Sequence, residues 1–219
     1  MLRSYLYILI QMLLVLICMN CIYTAHRHWP AKLRVSVIAI LIFELLRLAS
    51  NIILFASDNI VFLYILKYFN FLNLTTIPVM ALISLYIFYR SDSVKFYYVI
   101  IVSVVLFSVC IYSIVGMDYY IERTQQYGYC IYLVNNTYIK LFQMLLLSFF
   151  LICGILALGR KVANNKGLML IIAASSISMG EIVLTTFNFQ ILFNQIIGDI
   201  VWIIVLQYAL NTMAQSKSR

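Results

Sequence analysis

Apolar residues fill this chain in long runs, broken at short intervals by clusters of Arg, Lys, Asn, Ser and Asp. A bilayer core of about 30 Å is crossed by roughly 20 apolar residues in an α-helix. Seven runs meet that length: 2–23, 35–56, 60–89, 96–115, 137–158, 167–187 and 191–212. The third is long enough to tilt or to bend at Pro78. The expected fold is an all-α integral membrane protein, one seven-helix transmembrane domain over residues 1–219. The first run is too long for a cleavable signal peptide and has no small-residue cleavage site after it, so it counts as the first helix.

Within these runs polar residues recur at helical spacing. Ala174, Ser178, Glu181, Thr185 and Asn188 fall on one face of the sixth helix, and Glu44, Arg47 and Asn51 on one face of the second. Lys67, Asn70 and Asn73 keep to one side of the third. Lys140 pairs with Gln143 on the fifth, and Gln195, Asp199 and Trp202 align on the seventh. The fourth helix has only serines and is expected to face lipid most. Between the fourth and fifth helices, alternation over Tyr127 to Val134 and the Asn135-Asn136 pair predict a short extended piece or hairpin, placed as an interfacial anchor or a lid. Asn135-Asn136-Thr137 also matches a glycosylation acceptor, relevant only in a eukaryotic secretory setting.

Composition agrees with the membrane assignment: 65% of residues are hydrophobic and 10% charged, with a mean hydropathy of +1.02. The net charge of +8 is mainly a topology signal. With the amino terminus outside, Arg27, Lys32, Arg34, Arg90, Lys95, Arg160, Lys161, Lys166, Lys217 and Arg219 are cytoplasmic, leaving Arg3 and Arg123 outside. The carboxyl terminus is then inside. These cations are scattered over short loops, so no nucleic-acid partner is expected.

Six charged residues remain inside the runs: Glu44, Arg47, Lys67, Lys140, Glu181 and Asp199. An unpaired charge in hydrocarbon costs roughly 2.5 kcal/mol or more, so each marks a functional position with a partner. At 1.5 Å per residue, Lys67, Lys140, Glu181 and Asp199 lie in the outer half and Glu44 and Arg47 near the middle. The expected site is a polar cavity open to the outside, with Glu44, Arg47, Lys67, Asn70, Lys140, Glu181, Asp199 and Trp202 as candidate ligand-binding residues. Its ligand would be a zwitterionic or hydrogen-bonding small molecule or a peptide terminus. The alternative is a structural salt-bridge network, Glu44 with Arg47 and Lys67 with Glu181 or Asp199.

Other chemistry finds little footing. Cys18, Cys21, Cys110 and Cys153 read as small hydrophobes in helices, and Cys130 stands alone in the outer segment, so no disulfide is expected. His26 and His28 flank Arg27 beside Trp29 and Pro30, an interfacial anchor and not a metal site. No phosphate-binding loop, H-E-x-x-H or G-x-S-x-G occurs, and the seventh helix has no lysine for a Schiff base. Neither an enzyme nor a cofactor is expected; Glu181 and Asp199 as an acid and base pair form a distant third reading. The halves do not read as a transporter repeat, and no G-x-x-x-G motif argues for self-association.

Five segments carry a family resemblance: FELLRLASNIILFA, YILKYFNFLNLTTIPVMALISLYIFYR, TYIKLFQMLLLSFFLICGILALGRKV, GLMLIIAASSISMGEIVLTT and GDIVWIIVLQYAL. Over roughly residues 34–212 the chain resembles the seven-helix amino-terminal sensor region of bacterial membrane histidine kinases. The resemblance implies an input module that senses on its outer face and feeds an output domain through its last helix. Asp199 falls where that helix often begins with a polar residue. The closing residues MAQSKSR hold no phosphoacceptor helix or ATP-binding domain. The expectation is therefore a receptor-like module of the bacterial cell membrane, signalling to a separate cytoplasmic or membrane partner or forming the sensor part of a longer chain, without autokinase activity. The rival is a transporter or channel subunit. Continuity of polar residues discriminates: the inner half holds few besides Gln207 and Asn211, which favours a dead-end pocket.

Overall fold

The computed structural model describes residues 2–56, 60–89, 95–116, 118–124, 127–134, 136–160, 163–187, 189 and 195–218. The expectations on Arg90, Asn135, Lys161, Asn188, residues 191–194 and Arg219 lie outside the described residues, as do those on the side chains of Arg3, His28 and Lys217. The helices are α1 (Leu2–His28), α2 (Ala31–Ala56), α3 (Ile60–Asn70), α4 (Asn73–Tyr89), α5 (Phe96–Val115), α6 (Asn136–Ala157), α7 (Asn165–Thr186) and α8 (Ile196–Ser218). Seven of the resulting segments are long and apolar enough to cross a membrane, α3 and α4 together making one of them. The bundle is that of a multi-pass membrane protein.

Three departures from the predicted elements lie near Pro30 and Phe71. The loop expected around His26 to Arg34 shrinks to Trp29 and Pro30, because proline suits the position before a helix, where its missing N–H is not needed. The Pro30 carbonyl accepts the first bond of α2, from the Arg34 N–H at 2.9 Å. Trp29, expected as part of an interfacial anchor, is buried instead. The third run does not bend at Pro78 but breaks at Phe71 and Leu72, so that α4 begins anew at Asn73.

Pro78 sits inside α4, and lacking an N–H it cannot bond the Leu74 carbonyl one turn back. The Cys110 thiol of α5 donates to that carbonyl at 3.4 Å. Elsewhere α5 silences its own polarity: Ser103, Ser108 and Ser113 each donate to the carbonyl four residues back. Only Val99, Cys110 and Ile114 of α5 are buried, the smallest buried share of the seven spans, as expected of a lipid-facing helix.

The all-α expectation also needs one addition. Strands β1 (Tyr119–Thr124) and β2 (Gly128–Leu133) form an antiparallel hairpin, with Tyr120 opposite Tyr132 and Glu122 opposite Cys130. The turn lies near Thr124 and not at Asn135-Asn136; the Thr124 hydroxyl accepts from the Tyr127 N–H and donates to the Gly128 carbonyl, both at 3.2 Å. Tyr127 meets the ring of Tyr7 edge-on at 5.2 Å, which ties the hairpin to α1. Gly128, at φ +72°, lies against the backbone of Phe55 at the end of α2; a Cβ there would stand 2.9 Å from the Phe55 Cα.

Helix α4, flanked by α2, α5, α7 and α8, is the most buried span. Its far end is locked to α7, where the Asn164 side chain caps the helix by accepting from the Gly167 N–H at 3.2 Å. The Asn164 N–H also donates to the Phe88 carbonyl at 2.9 Å.

Cys130 is fully buried, and burial pushes its thiol above the usual range. Alkylation of Cys130 should therefore be negligible at neutral pH and rise only above the ordinary thiol range, where the thiolate forms. Gly128→Ala imposes about 1–2 kcal/mol of left-handed strain besides its clash with Phe55. Mass-spectrometric mapping should show Cys130 of that variant modified at neutral pH while the helical circular dichroism is retained.

Candidate functional site

The site is assembled from one face each of α2, α4, α7 and α8 near the hairpin end of the bundle. Glu44 and Arg47, three residues apart, point the same way into the core, and Arg47 is fully buried. Arg47 Nη1 lies 3.1 Å from Glu44 Oε1 and pairs with Asp199 Oδ2 in the first turn of α8. The second Glu44 oxygen accepts from the Thr76 hydroxyl, in the first turn of α4, at 2.6 Å.

A second carboxylate holds the start of α8. Glu181 accepts from the backbone N–H groups of Ile197 at 3.2 Å and Gly198 at 2.7 Å, donors that a helix leaves free in its first turn. Gly198 permits this approach, since a Cβ there would stand 3.3 Å from Glu181 Oε2 and 3.2 Å from Ser178 Oγ. One turn along, Trp202 Nε1 donates to Ser178 Oγ at 3.1 Å.

Above Glu181 lies a layer of amides. Gln195 Nε2 donates to Gln143 Oε1 at 3.3 Å, and Gln195 Oε1 accepts from Gln143 Nε2 at 3.4 Å and Asn73 Nδ2 at 3.3 Å. Gln195 adopts φ +58°, a left-handed conformation that costs a non-glycine residue about 1–2 kcal/mol. Asn73, Pro78, Gln143, Ser178, Glu181 and Gln195 line a cavity of about 20 Å³, room for one water-sized species.

Charge balance explains the architecture. Glu44, Glu181 and Asp199 are at most 6% exposed and share the single guanidinium of Arg47. Helix N-termini carry the equivalent of roughly +0.5 charge each, and both α4 and α8 begin at the cluster, α4 because the third span is broken. The Ile197 and Gly198 amides deliver that partial charge to Glu181, while Glu44 takes its second donor from the Thr76 side-chain hydroxyl at the start of α4.

The eight sequence-predicted residues therefore separate. Glu44, Arg47 and Asp199 join directly, and Glu181 and Trp202 meet on Ser178 and the first turns of α8. Asn70 is buried at the end of α3. Lys67 stands apart: its Nζ lies 3.7 Å from the centroid of the Tyr119 ring in β1 and 4.9 Å from that of Tyr68. The pairing of Lys67 with Glu181 or Asp199 is thus corrected; the break at Phe71 interrupts the helical register on which it was drawn. Lys140 is half-buried, with no ion pair among the described residues.

Sequence reasoning missed Tyr7 and Gln11 of α1. Tyr7, buried, lies in the electrostatic field of Arg47 and Asp199. The signal is periodicity: Tyr7, Gln11, Leu14, Cys18, Cys21 and Ala25 follow steps of four and three, and all are buried. Thr76, inside an apolar run, carries no comparable mark.

Comparison with protein-family models and with curated proteins finds no match to this chain.

Removing one member of a buried ion pair typically costs 3–5 kcal/mol, whereas replacing the whole group with neutral residues is far milder. Arg47→Met should lower the thermal unfolding temperature markedly in detergent, and adding Glu44→Gln and Asp199→Asn should restore most of the loss. A triple variant no more stable than Arg47→Met alone would show that the guanidinium acts through other partners.

Proposed function

We propose that this protein is a receptor-like sensor module of the cell membrane, amino terminus outside and carboxyl terminus inside. The polar network at the hairpin end receives a small hydrogen-bonding or cationic ligand from outside. Helix α8 carries the response to a signalling protein on the cytoplasmic side.

The observation that carries this reading is the uneven attachment of α8. Its first turn is held by Arg47, Glu181 and the Gln143–Gln195 amide pair. Further along, its buried residues Ile203, Val205, Leu206, Ala209 and Leu210 are apolar and pack without directional bonds. A helix fixed by polar contacts at one end pivots when those contacts change. The strained backbone at Gln195 stores part of what such a change releases. A ligand competing for the amide layer, or pairing with Glu181, would bind one arrangement of α8 better than the other, which is the requirement for signalling. The distribution of Lys and Arg supports the orientation. The resemblance to histidine-kinase sensor regions agrees with the last helix as output.

One observation favours a second reading, a carrier or channel subunit. The third span is discontinuous, and a half-helix N-terminus placed among buried charges is a device of ion-coupled carriers.

Spin labels at Lys32 of α2 and Met213 of α8 report the pivot in nanodiscs. Glu181→Gln should alter their distance distribution by several ångströms while thermal unfolding stays cooperative. In the wild type, members of a panel of amines, amino acids and dipeptides should produce the same shift. Unchanged distances in a folded Glu181→Gln variant would refute the sensor reading. Solute flux into liposomes containing only this protein would establish the carrier.

A further inference from the structure

Outside the polar network the larger cavities flank α5, which packs chiefly against α4 and leaves a groove on each side. Two of these, of about 260 and 300 Å³, lie between α5 and α2 and carry no charged residue. The third, of about 450 Å³, lies between α4, α5 and α6 and differs in chemistry from end to end. Its depth is walled by Leu82, Leu85, Val99, Val102 and Leu156, and its mouth by Tyr89 and Arg160.

We propose that this groove binds an anionic phospholipid, one acyl chain lying between α5 and α6 and the phosphate held by Arg160 and Tyr89. The volume falls within the range of roughly 300–1,000 Å³ typical of ligand sites. The groove follows the last turn of α6 from Cys153 to Ala157, about 6 Å, and reaches Arg160 just beyond it, with Tyr86 and Tyr98 the tyrosines of an otherwise largely apolar wall.

The charged end is organised for a tetrahedral anion. The Arg160 guanidinium lies 4.6 Å from the Tyr89 ring centroid, and Nη1 donates to the Tyr89 hydroxyl oxygen. With its oxygen occupied as an acceptor, that hydroxyl is free to donate outward, beside the remaining guanidinium N–H groups. Arginine is suited to bind phosphate through such paired donors. Among the described residues no acidic side chain lines the groove. An apolar trough continuous with a cationic mouth matches a chain and an anion joined in one molecule, which is the design of a phospholipid. The uncharged grooves on the other side of α5 offer a chain no such anchor.

The test is native mass spectrometry and thermal unfolding of the full chain in detergent, titrated with phosphatidylglycerol, phosphatidylcholine or inorganic phosphate. The wild type should prefer phosphatidylglycerol to phosphatidylcholine by roughly tenfold, the scale of one charge-assisted hydrogen bond. Arg160→Gln should abolish that preference while retaining phosphatidylcholine binding, and Val102→Trp, which fills the trough, should reduce binding of both lipids. Equal binding of the two lipids by the wild type, or an undiminished preference in Arg160→Gln, overturns the proposal. So does a shift by inorganic phosphate as large as that by lipid, which would mark a free-anion site, or a change of oligomeric state in Val102→Trp without loss of lipid, which would mark the groove as a contact between copies.

Discussion

Arg47 is the one positive side chain in a buried cluster that contains three carboxylates, and the arrangement of four helices follows from that imbalance. In a low-dielectric interior such a group is costly unless donors meet its oxygens; all four oxygens of Glu44 and Glu181 have one, whereas Asp199 relies on its ion pair with Arg47. The chain supplies donors by bringing helix beginnings to the cluster. The break at Phe71 and Leu72 starts α4 beside Glu44, and Gly198 opens the first turn of α8 to Glu181. Since apolar side chains gain little from leaving lipid for a helix interface, these few polar contacts weigh heavily in setting register between the helices.

The seven spans were legible because apolar length alone defines them, and the membrane class with them. The faces of α2, α7 and α8 were legible too, because Glu44 and Arg47, Ser178 and Glu181, and Asp199 and Trp202 keep helical spacing through continuous helices. Where continuity fails, that logic fails with it: Lys67 and Asn73 fall on opposite sides of a break at Phe71 and Leu72, bounded by Asn70 and Asn73 with neither glycine nor proline to announce it. Pro78, the visible helix breaker, is instead absorbed. The alternation in β2 was readable, but Tyr119–Thr124, with its mixed polarity, became a strand only by pairing with β2. Where the convergence of charges suggested a polar cavity, the structure holds a hydrogen-bonded network beside space for about one water, because helical spacing shows which residues share a face but not how closely they pack.

The two ends of the bundle thus differ in kind. At the hairpin end, polar groups from α2, α4, α6, α7 and α8 interlock, and the hairpin itself leans on α1 and α2 through Tyr127 and Gly128. At the other end α4 and α7 meet through a capped turn, and the groove between α4, α5 and α6 ends near Tyr89 and Arg160. Helix α8 runs between these two environments, anchored in the first and apolar through its middle turns toward the second.

The thiol bond from Cys110 to Leu74 has a further meaning for how the bundle is put together. In hydrocarbon a bare carbonyl costs several kcal/mol, and Pro78 creates one at Leu74 in the first turn of α4. A span carrying that defect is incomplete by itself. The helix that follows it in the chain supplies the missing donor, so α4 and α5 form a natural unit of insertion, a pair that enters lipid more readily together than either half arrangement would allow. The loosely packed α5 is then less a bystander at the rim than the companion that lets a broken, proline-bearing helix reside at the centre of the membrane.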